Sequence, residues 1–245
     1  MVTILTAHQP SYLPWLGFFH KLAISDIYVS LDTVQYEKNS FINRNKVKTP
    51  NGVVWLTVPV MTKEHLSKTI NDMKIDNSTK WKIKHWKTLL LYQKTPYFEN
   101  YYDFFEKTYM KDWEFLADLN EHLLKFFLKE LSINVKFLKS SELNLRKRKS
   151  ELIIEICEKL NANIFVFGIL GKDYVKIEDF ESRGVKVYFQ EYNHPTYPQI
   201  WGGFVSHLSV VDLLFNVGPE RAYGIIMQDN IKKDELIKMM KHKLA

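Results

Sequence analysis

Cysteine is almost missing from this chain of 245 residues: Cys157 is the only one. A single thiol excludes an intrachain disulfide, and no cysteine cluster exists to hold a metal. His8 and His20 lie twelve apart, not four, so a helical zinc pair is not expected either. Glycine (9) and proline (8) are too few for a linker-rich or fibrous protein. Arginine is scarce as well. Of 34 basic residues only five are Arg, and Arg44 is the only one in the first 145 residues. The first twenty residues hold no Asp, Glu, Lys or Arg. They lack the basic start and small-residue end of a signal peptide, and His8, Gln9, Pro10 and Pro14 interrupt any membrane span. A cytoplasmic protein without a transmembrane segment is expected, its N-terminus already part of the fold.

What is present is apolar mass. The chain is 46% hydrophobic and 14% aromatic, which excludes disorder as its main state and supplies a sizeable core. The formal charge of +6 is spread along the chain. It suits anionic ligands and is not by itself a nucleic-acid signature. Lys136 to Lys149 carries six basic residues and one acid, the pattern of a solvated face.

Val2–Thr6 reads as a buried strand, Trp15–Ala23 as a helix and Ile27–Leu31 as a second strand, with an irregular loop at His8–Pro14. Strand, helix, strand predicts a βαβ unit. Further strands are expected at Val53–Val60, Asn134–Leu138, Ile164–Gly168 and Val185–Phe189. Helices are expected over Trp81–Leu91, Phe98–Leu131, Ser150–Leu160 capped by Ser150, Ser206–Asn216 stopped at Gly218-Pro219, and Asp229–His242. The fold class is therefore α/β: a central, mainly parallel sheet with flanking helices and an inserted helical subdomain at about residues 62–132, in a single domain. Ligands of such sheets bind beyond the carboxyl ends of the strands, where His8 and Asp32 fall.

Two charge-poor stretches point to a site. One is residues 1–20. The other is residues 193–219, where Asp212 is the only charged residue in 27. The first holds His8, Gln9, Ser11, Tyr12 and Trp15; the second holds His194, Tyr197, Gln199, Trp201, His207 and Ser209. Neutral polar groups mixed with aromatic rings suit a small-molecule pocket. The competing reading is two buried irregular segments hydrogen-bonded to each other. Asn43, Arg44, Asn45 and Lys46 add positive charge. Arg44 can fork onto phosphate or carboxylate with amide support, or belong to a surface loop. Asp212 can orient a histidine or act as a base, or form a helix-start pair with Ser209. Gly168-Ile169-Leu170-Gly171-Lys172 follows a strand but lacks P-loop spacing, so a turn is expected. Cys157 lies on an apolar helix face and is expected in the core.

The string His8-Gln9-Pro10-Ser11-Tyr12-Leu13-Pro14-Trp15-Leu16-Gly17 resembles the opening motif of the WbqC-like protein family. Asn43-Arg44-Asn45-Lys46, Lys48-Thr49-Pro50-Asn51-Gly52 and Trp55-Leu56-Thr57-Val58-Pro59 resemble its next blocks. His194-Pro195, Tyr197-Pro198-Gln199, Leu208-Ser209 and Asp212–Asn216 resemble its C-terminal signature. Phe167 departs from the small serine expected before the glycine. The resemblance implies bacterial O-antigen or related surface-polysaccharide biosynthesis, with transfer of a glycyl or other acyl group to the amine of a nucleotide-linked amino sugar. His8, His194 and Asp212 are then the candidate catalytic residues. Gln9, Tyr12, Asp32, Asn43, Arg44, Lys46, Tyr197, Gln199 and Ser209 are the candidates for binding substrate. The partners implied are a nucleotide-linked sugar and an acyl or aminoacyl donor; ATP is a possible cofactor, and no metal is expected. The order of strand, His-bearing loop, helix and late Ser-bearing helix start is also similar to the HIGH-type nucleotidyltransferases, although the close His-x-Gly-His pair is missing. A module that only binds a sugar nucleotide or a partner enzyme is the alternative.

Overall fold

The computed structural model describes residues 2–61 and 68–242. Strand β1 (Ile4–His8) leads through the Gln9–Trp15 loop into helix α1 (Leu16–Ala23) and back to strand β2 (Ile27–Ser30). A hairpin of β3 (Arg44–Thr49) and β4 (Gly52–Thr57) comes next, then helices α2 (Trp81–Leu89), α3 (Phe98–Met110) and α4 (Leu116–Glu130). The chain then returns to β5 (Lys136–Lys139), α5 (Lys149–Lys159), β6 (Ile164–Gly168), α6 (Ile177–Glu181) and β7 (Lys186–Gln190). Helices α7 (Val210–Val217), α8 (Pro219–Met227) and α9 (Lys233–His242) complete the described residues.

Five strands form one sheet in the order β5-β2-β1-β6-β7, and every pairing is parallel. A parallel sheet must be covered on both faces. The side-chain alternation achieves this. Ile4, Tyr28, Ile164 and Val166 enter a core shared with α1, α4 and α7. Their neighbours Leu5, Val29, Phe165 and Phe167 enter a second core with Leu152 and Ile156 of α5 and Phe180 of α6. The chain winds outward from β1 in one direction and then in the other. The topological switch point is therefore the gap between β1 and β6.

The α/β class with a parallel central sheet and flanking helices is as expected. The polar segment Arg44–Thr49 becomes a strand, not a loop, and β3 and β4 pair only with each other, outside the main sheet. The expected insertion begins on residues 62–67, which lie outside the described residues. The stretch from Trp81 to Glu130 is mainly helical, but Trp81, Phe98, Phe105, Leu123 and Phe127 share one core with the sheet instead of building a separate one. The expected continuous helix over Phe98–Leu131 is broken at residues 111–115, where Phe115 bridges to Lys74 and the Leu116 N–H donates to the Met73 carbonyl at 2.9 Å. Ser150 does not cap α5, because the helix already begins at Lys149 behind Arg148. Ser209 does cap α7, its hydroxyl accepting from the Val211 N–H at 3.3 Å.

Gly218 ends α7 at φ 81°, and Pro219 then opens α8 from its first position. A Cβ at Gly218 would collide with the Tyr97 ring. Gly218→Ala combines a positive φ with that clash, so it is expected to destabilise the fold by about 2–4 kcal/mol. Denaturant titration measures this; a loss below about 0.5 kcal/mol would show that Tyr97 yields freely.

Candidate functional site

A cavity of about 760 Å³ opens at the switch point. Ala7, His8 and Gln9 of the β1 end form one wall and Gly168–Gly171 of the β6 end another. Trp15, Phe18 and Lys21 of the α1 region, with Gln190 at the end of β7 and Tyr192 beyond it, close it, and His207 stands on the loop before α7. A ligand-sized cavity is expected at this place in a doubly wound sheet.

His8 is the last residue of β1, so the strand itself fixes its position. Its Nδ1 donates to the Gln9 carbonyl at 2.8 Å, in the tautomer that leaves Nε2 unprotonated. Nε2 has no partner among the described residues. The ring stands edge-on to Trp15 and Phe18, with centroids 5.6 and 5.4 Å away. Burial and the nearby Lys21 ammonium push the imidazole down to about 3, so His8 is neutral at pH 7. The Gln9 side-chain amide also lines the cavity and has no partner among the described residues.

Lys21 is a site residue that sequence reasoning misses. It sits on the inner face of α1 and is only 4% exposed. Its ammonium has one long contact, 3.4 Å to the Ala7 carbonyl, and burial pushes it down to about 7. The one available signal is its place within the apolar run Leu16–Ala23, where a charge is costly unless the fold holds it for a purpose. Tyr192 carries no sequence signal either. Gly168–Gly171 forms the expected turn, and that turn also borders the cavity.

Most other expected site residues do not line this cavity. The Asp212 carboxylate is fully buried and accepts from the Tyr92 hydroxyl at 2.8 Å and the Tyr197 hydroxyl at 3.0 Å; among the described residues no histidine is its partner. Burial raises its proton affinity, against the pull of both tyrosines and of Lys48. The Lys48 ammonium donates to the Gly203 carbonyl at 2.6 Å and to Gln199 Oε1 at 3.3 Å, while Gln199 also grips both backbone groups of Val205. Asp212, Tyr197 and Gln199 thus fasten the loop over residues 197–205. Tyr12 is fully buried, its hydroxyl between His85 at 2.9 Å and Tyr109 at 2.6 Å. The Asp32 carboxylate accepts from the Ser140 and Ser141 hydroxyls at 2.7 and 2.6 Å, tying the end of β2 to that of β5 in a separate small hollow.

His194 stands between. Its Nδ1 donates to the Pro195 carbonyl at 2.9 Å and its Nε2 accepts the His207 N–H at 3.1 Å, so both nitrogens are engaged. Its ring lies 4.8 Å from the His207 ring, which borders the cavity. Asn43 donates to the Val58 carbonyl and Ser209 N–H to the Lys46 carbonyl, both within the hairpin junction. The Arg44 guanidinium lies 4.5 Å over the Trp55 ring and donates to the Asn39 carbonyl at 2.5 Å, while Lys46 Nζ is 6.0 Å from the same ring. Arg44 and Lys46 therefore sit on the hairpin face, next to the cavity wall only through Phe41, which touches both Trp55 and Trp15.

Among the described residues no group of three or more His, Cys, Asp or Glu could hold a metal, and no helix is long and apolar enough to cross a membrane. Cys157 is buried, as expected, and burial raises its thiol to about 12.

Fold and cavity together define a doubly wound α/β protein with a cavity at its switch point. The chain belongs to the WbqC-like protein family, whose model matches residues 9–223. It is 33% identical over 215 residues to the uncharacterized protein Rv1507c of Mycobacterium tuberculosis, a match covering 86% of this chain and 93% of the relative. No solved structure matches it.

The lowered proton affinity of Lys21 has a sign that can be checked. The unfolded chain holds that proton more tightly than the folded one, so stability from this group rises as pH climbs from about 7 toward the ordinary lysine value. Lys21→Met keeps the apolar stem and removes the charge. It is expected to stabilise the ligand-free protein by about 1–3 kcal/mol near pH 6, the gain shrinking toward pH 10. Denaturant melts across this range decide; a variant less stable than the parent near pH 6 would show that the buried ammonium is well compensated. His8 acts in the same direction in acid: its contribution is intact above the ordinary histidine range and falls away as pH drops toward about 3.

Proposed function

We propose that the chain is an enzyme of bacterial surface-polysaccharide biosynthesis that binds a nucleotide-linked amino sugar in the switch-point cavity and transfers a glycyl or other acyl group to the sugar amine. The observation that carries the reading is His8 at the carboxyl end of β1, neutral, its Nδ1 bonded and its Nε2 without a partner among the described residues, on the lining of a cavity of about 760 Å³. The amine nitrogen attacks the acyl carbon, the bond to the donor's leaving group breaks, and His8 Nε2 takes the proton that the nitrogen sheds. Gln9, with its free amide beside His8, is placed to donate to the oxygen that becomes negative. Asp212 and the Tyr192–His207 segment hold the wall in place. His194, with both nitrogens committed, supports His207 and does not itself act as base. Arg44 and Lys46 on the hairpin face offer positive charge and the Trp55 ring to the part of the substrate that extends past Trp15 and Phe41.

The strand order and the glycine-bearing turn after β6 favour a second reading, a ligase that activates a carboxylate with a nucleotide at the same switch point. The two readings differ in whether pyrophosphate exchanges into ATP. A pure binding module would retain ligand without product.

Nucleotide-linked amino sugars supplied with acyl thioesters, aminoacyl donors or ATP and free acids form the assay. His8→Ala is expected to lower turnover by about 10²–10⁴-fold while sugar-nucleotide affinity changes less than about tenfold. Turnover surviving in His8→Ala would remove His8 from the chemistry. Retention of ligand with no product from any donor would leave the binding module.

A further inference from the structure

Lys21 is a charge that the fold buries and leaves without a counter-ion among the described residues. Burial weakens its hold on its own proton, no carboxylate among the described residues offsets that, and the contact to the Ala7 carbonyl is long. A buried ammonium is costly unless something neutralises it. Its position names what does so. It lines the cavity at the switch point together with His8, close enough to act on that imidazole, and with the turn Gly168–Gly171. The hollow beside Asp32 lacks this feature: it holds Asp118 and Glu121 opposite Lys139, so its cation already has partners.

We propose that Lys21 is the anion-recognising residue of the switch-point cavity, and that the ligand seats a phosphoryl group on its ammonium beside His8. This rests on the reading of that cavity as the substrate site and adds the class of group it takes beside Lys21. A phosphoryl group fits better than a carboxylate. The cavity has the volume of a nucleotide-bearing ligand, and strand-end crevices of doubly wound sheets receive phosphates.

The same anion changes His8. In the empty cavity the ammonium repels a proton on the imidazole, and that repulsion is part of what makes His8 so weak a base. An anion seated on Lys21 cancels the repulsion and restores the lysine's hold on its own proton. Burial is the larger cause and is unaffected, so the anion returns to His8 only the part of its base strength that Lys21 takes away. The other titratable groups around the cavity are Glu37 on the exposed loop after β2, Tyr174 after β6, Tyr192 after β7 and His207 before α7. Behind the wall the Tyr28 hydroxyl donates to the His8 carbonyl at 3.4 Å. Only Glu37 among them brings an acid, and it stands on an exposed loop at the cavity edge.

Calorimetric titration with inorganic pyrophosphate near pH 7, in two buffers of different ionisation enthalpy, tests this. The wild-type protein is expected to bind pyrophosphate and take up protons. Lys21→Met is expected to bind about 10–100-fold more weakly, the range for losing a hydrogen bond to a charged group, with the uptake abolished. Lys21→Arg keeps charge and should retain binding with smaller uptake, because guanidinium does not titrate near pH 7. Succinate serves as the carboxylate arm and is expected to bind more weakly than pyrophosphate. A parallel labelling experiment on the wild-type protein needs no variant: pyrophosphate should protect Lys21 from reductive methylation, read by peptide mass spectrometry. Equal binding by Lys21→Met, no pyrophosphate binding by the wild type, preference for succinate, or methylation of Lys21 unaffected by pyrophosphate would each overturn the proposal. Failure of the acyl-transfer assay with pyrophosphate binding intact would sink the proposed reaction and leave the anion site standing. The opposite pattern would remove Lys21 and leave the reaction.

Discussion

Everything at the cavity rests on how residues 12–15 satisfy their backbone. Pro10 and Pro14 keep this loop out of helix and sheet, yet it is buried, so each of its polar groups must find a partner elsewhere. The Tyr12 N–H donates to Phe41, the Leu13 carbonyl accepts from the Asn45 amide at 2.6 Å, and the Pro14 carbonyl accepts from the Val210 N–H at 2.8 Å. Trp15 bridges to Ser209, whose own N–H bonds to Lys46 in the hairpin. One short loop therefore welds the N-terminal βαβ unit, the hairpin and the start of α7. His8 lies just before this weld and His207 just before its far side, so their place in the cavity wall is set by the junction.

The junction also shows why the two charge-poor stretches stand out. A pocket and a buried polar junction are both present, in different residues of the same segments. Gln199 and Ser209 serve buried backbone groups, while Tyr12, Tyr197 and Asp212 satisfy other buried polar side chains. His8 and Gln9 instead line the cavity. Sequence alone does not sort these, since a polar group serving backbone and one serving a ligand look the same on paper. Asp212 is the clearest case. Its isolation among neutral residues suggests chemistry, whereas the fold surrounds it with tyrosine hydroxyls.

The βαβ opening, the strands at Ile27 and Ile164 and the parallel class are legible because apolar runs of strand length alternate with helical ones. Strand β3 is not, because Arg44, Lys46 and Lys48 mask the inward alternation of Asn45 and Val47. The break between α3 and α4 is hidden because apolar spacing continues across it, and only the contacts with Met73 and Lys74 impose the interruption. Lys21 is lost among 29 lysines. The apolar run around it is the one local hint; its burial is completed by strands and loops far away in sequence.

The edge strand β5 has a cost of a different kind. It pairs in parallel with β2, yet β2 ends at Ser30 and β5 begins at Lys136. Roughly a hundred residues must be closed into a loop before this pairing forms, and such long-range contacts slow folding. On the ribosome the β1–α1–β2 unit emerges long before its outer neighbour exists. In that interval β2 has a bare edge, and the intervening hairpin and helices, which share their core with β1 and α1, are what can shield the nascent sheet until β5 arrives.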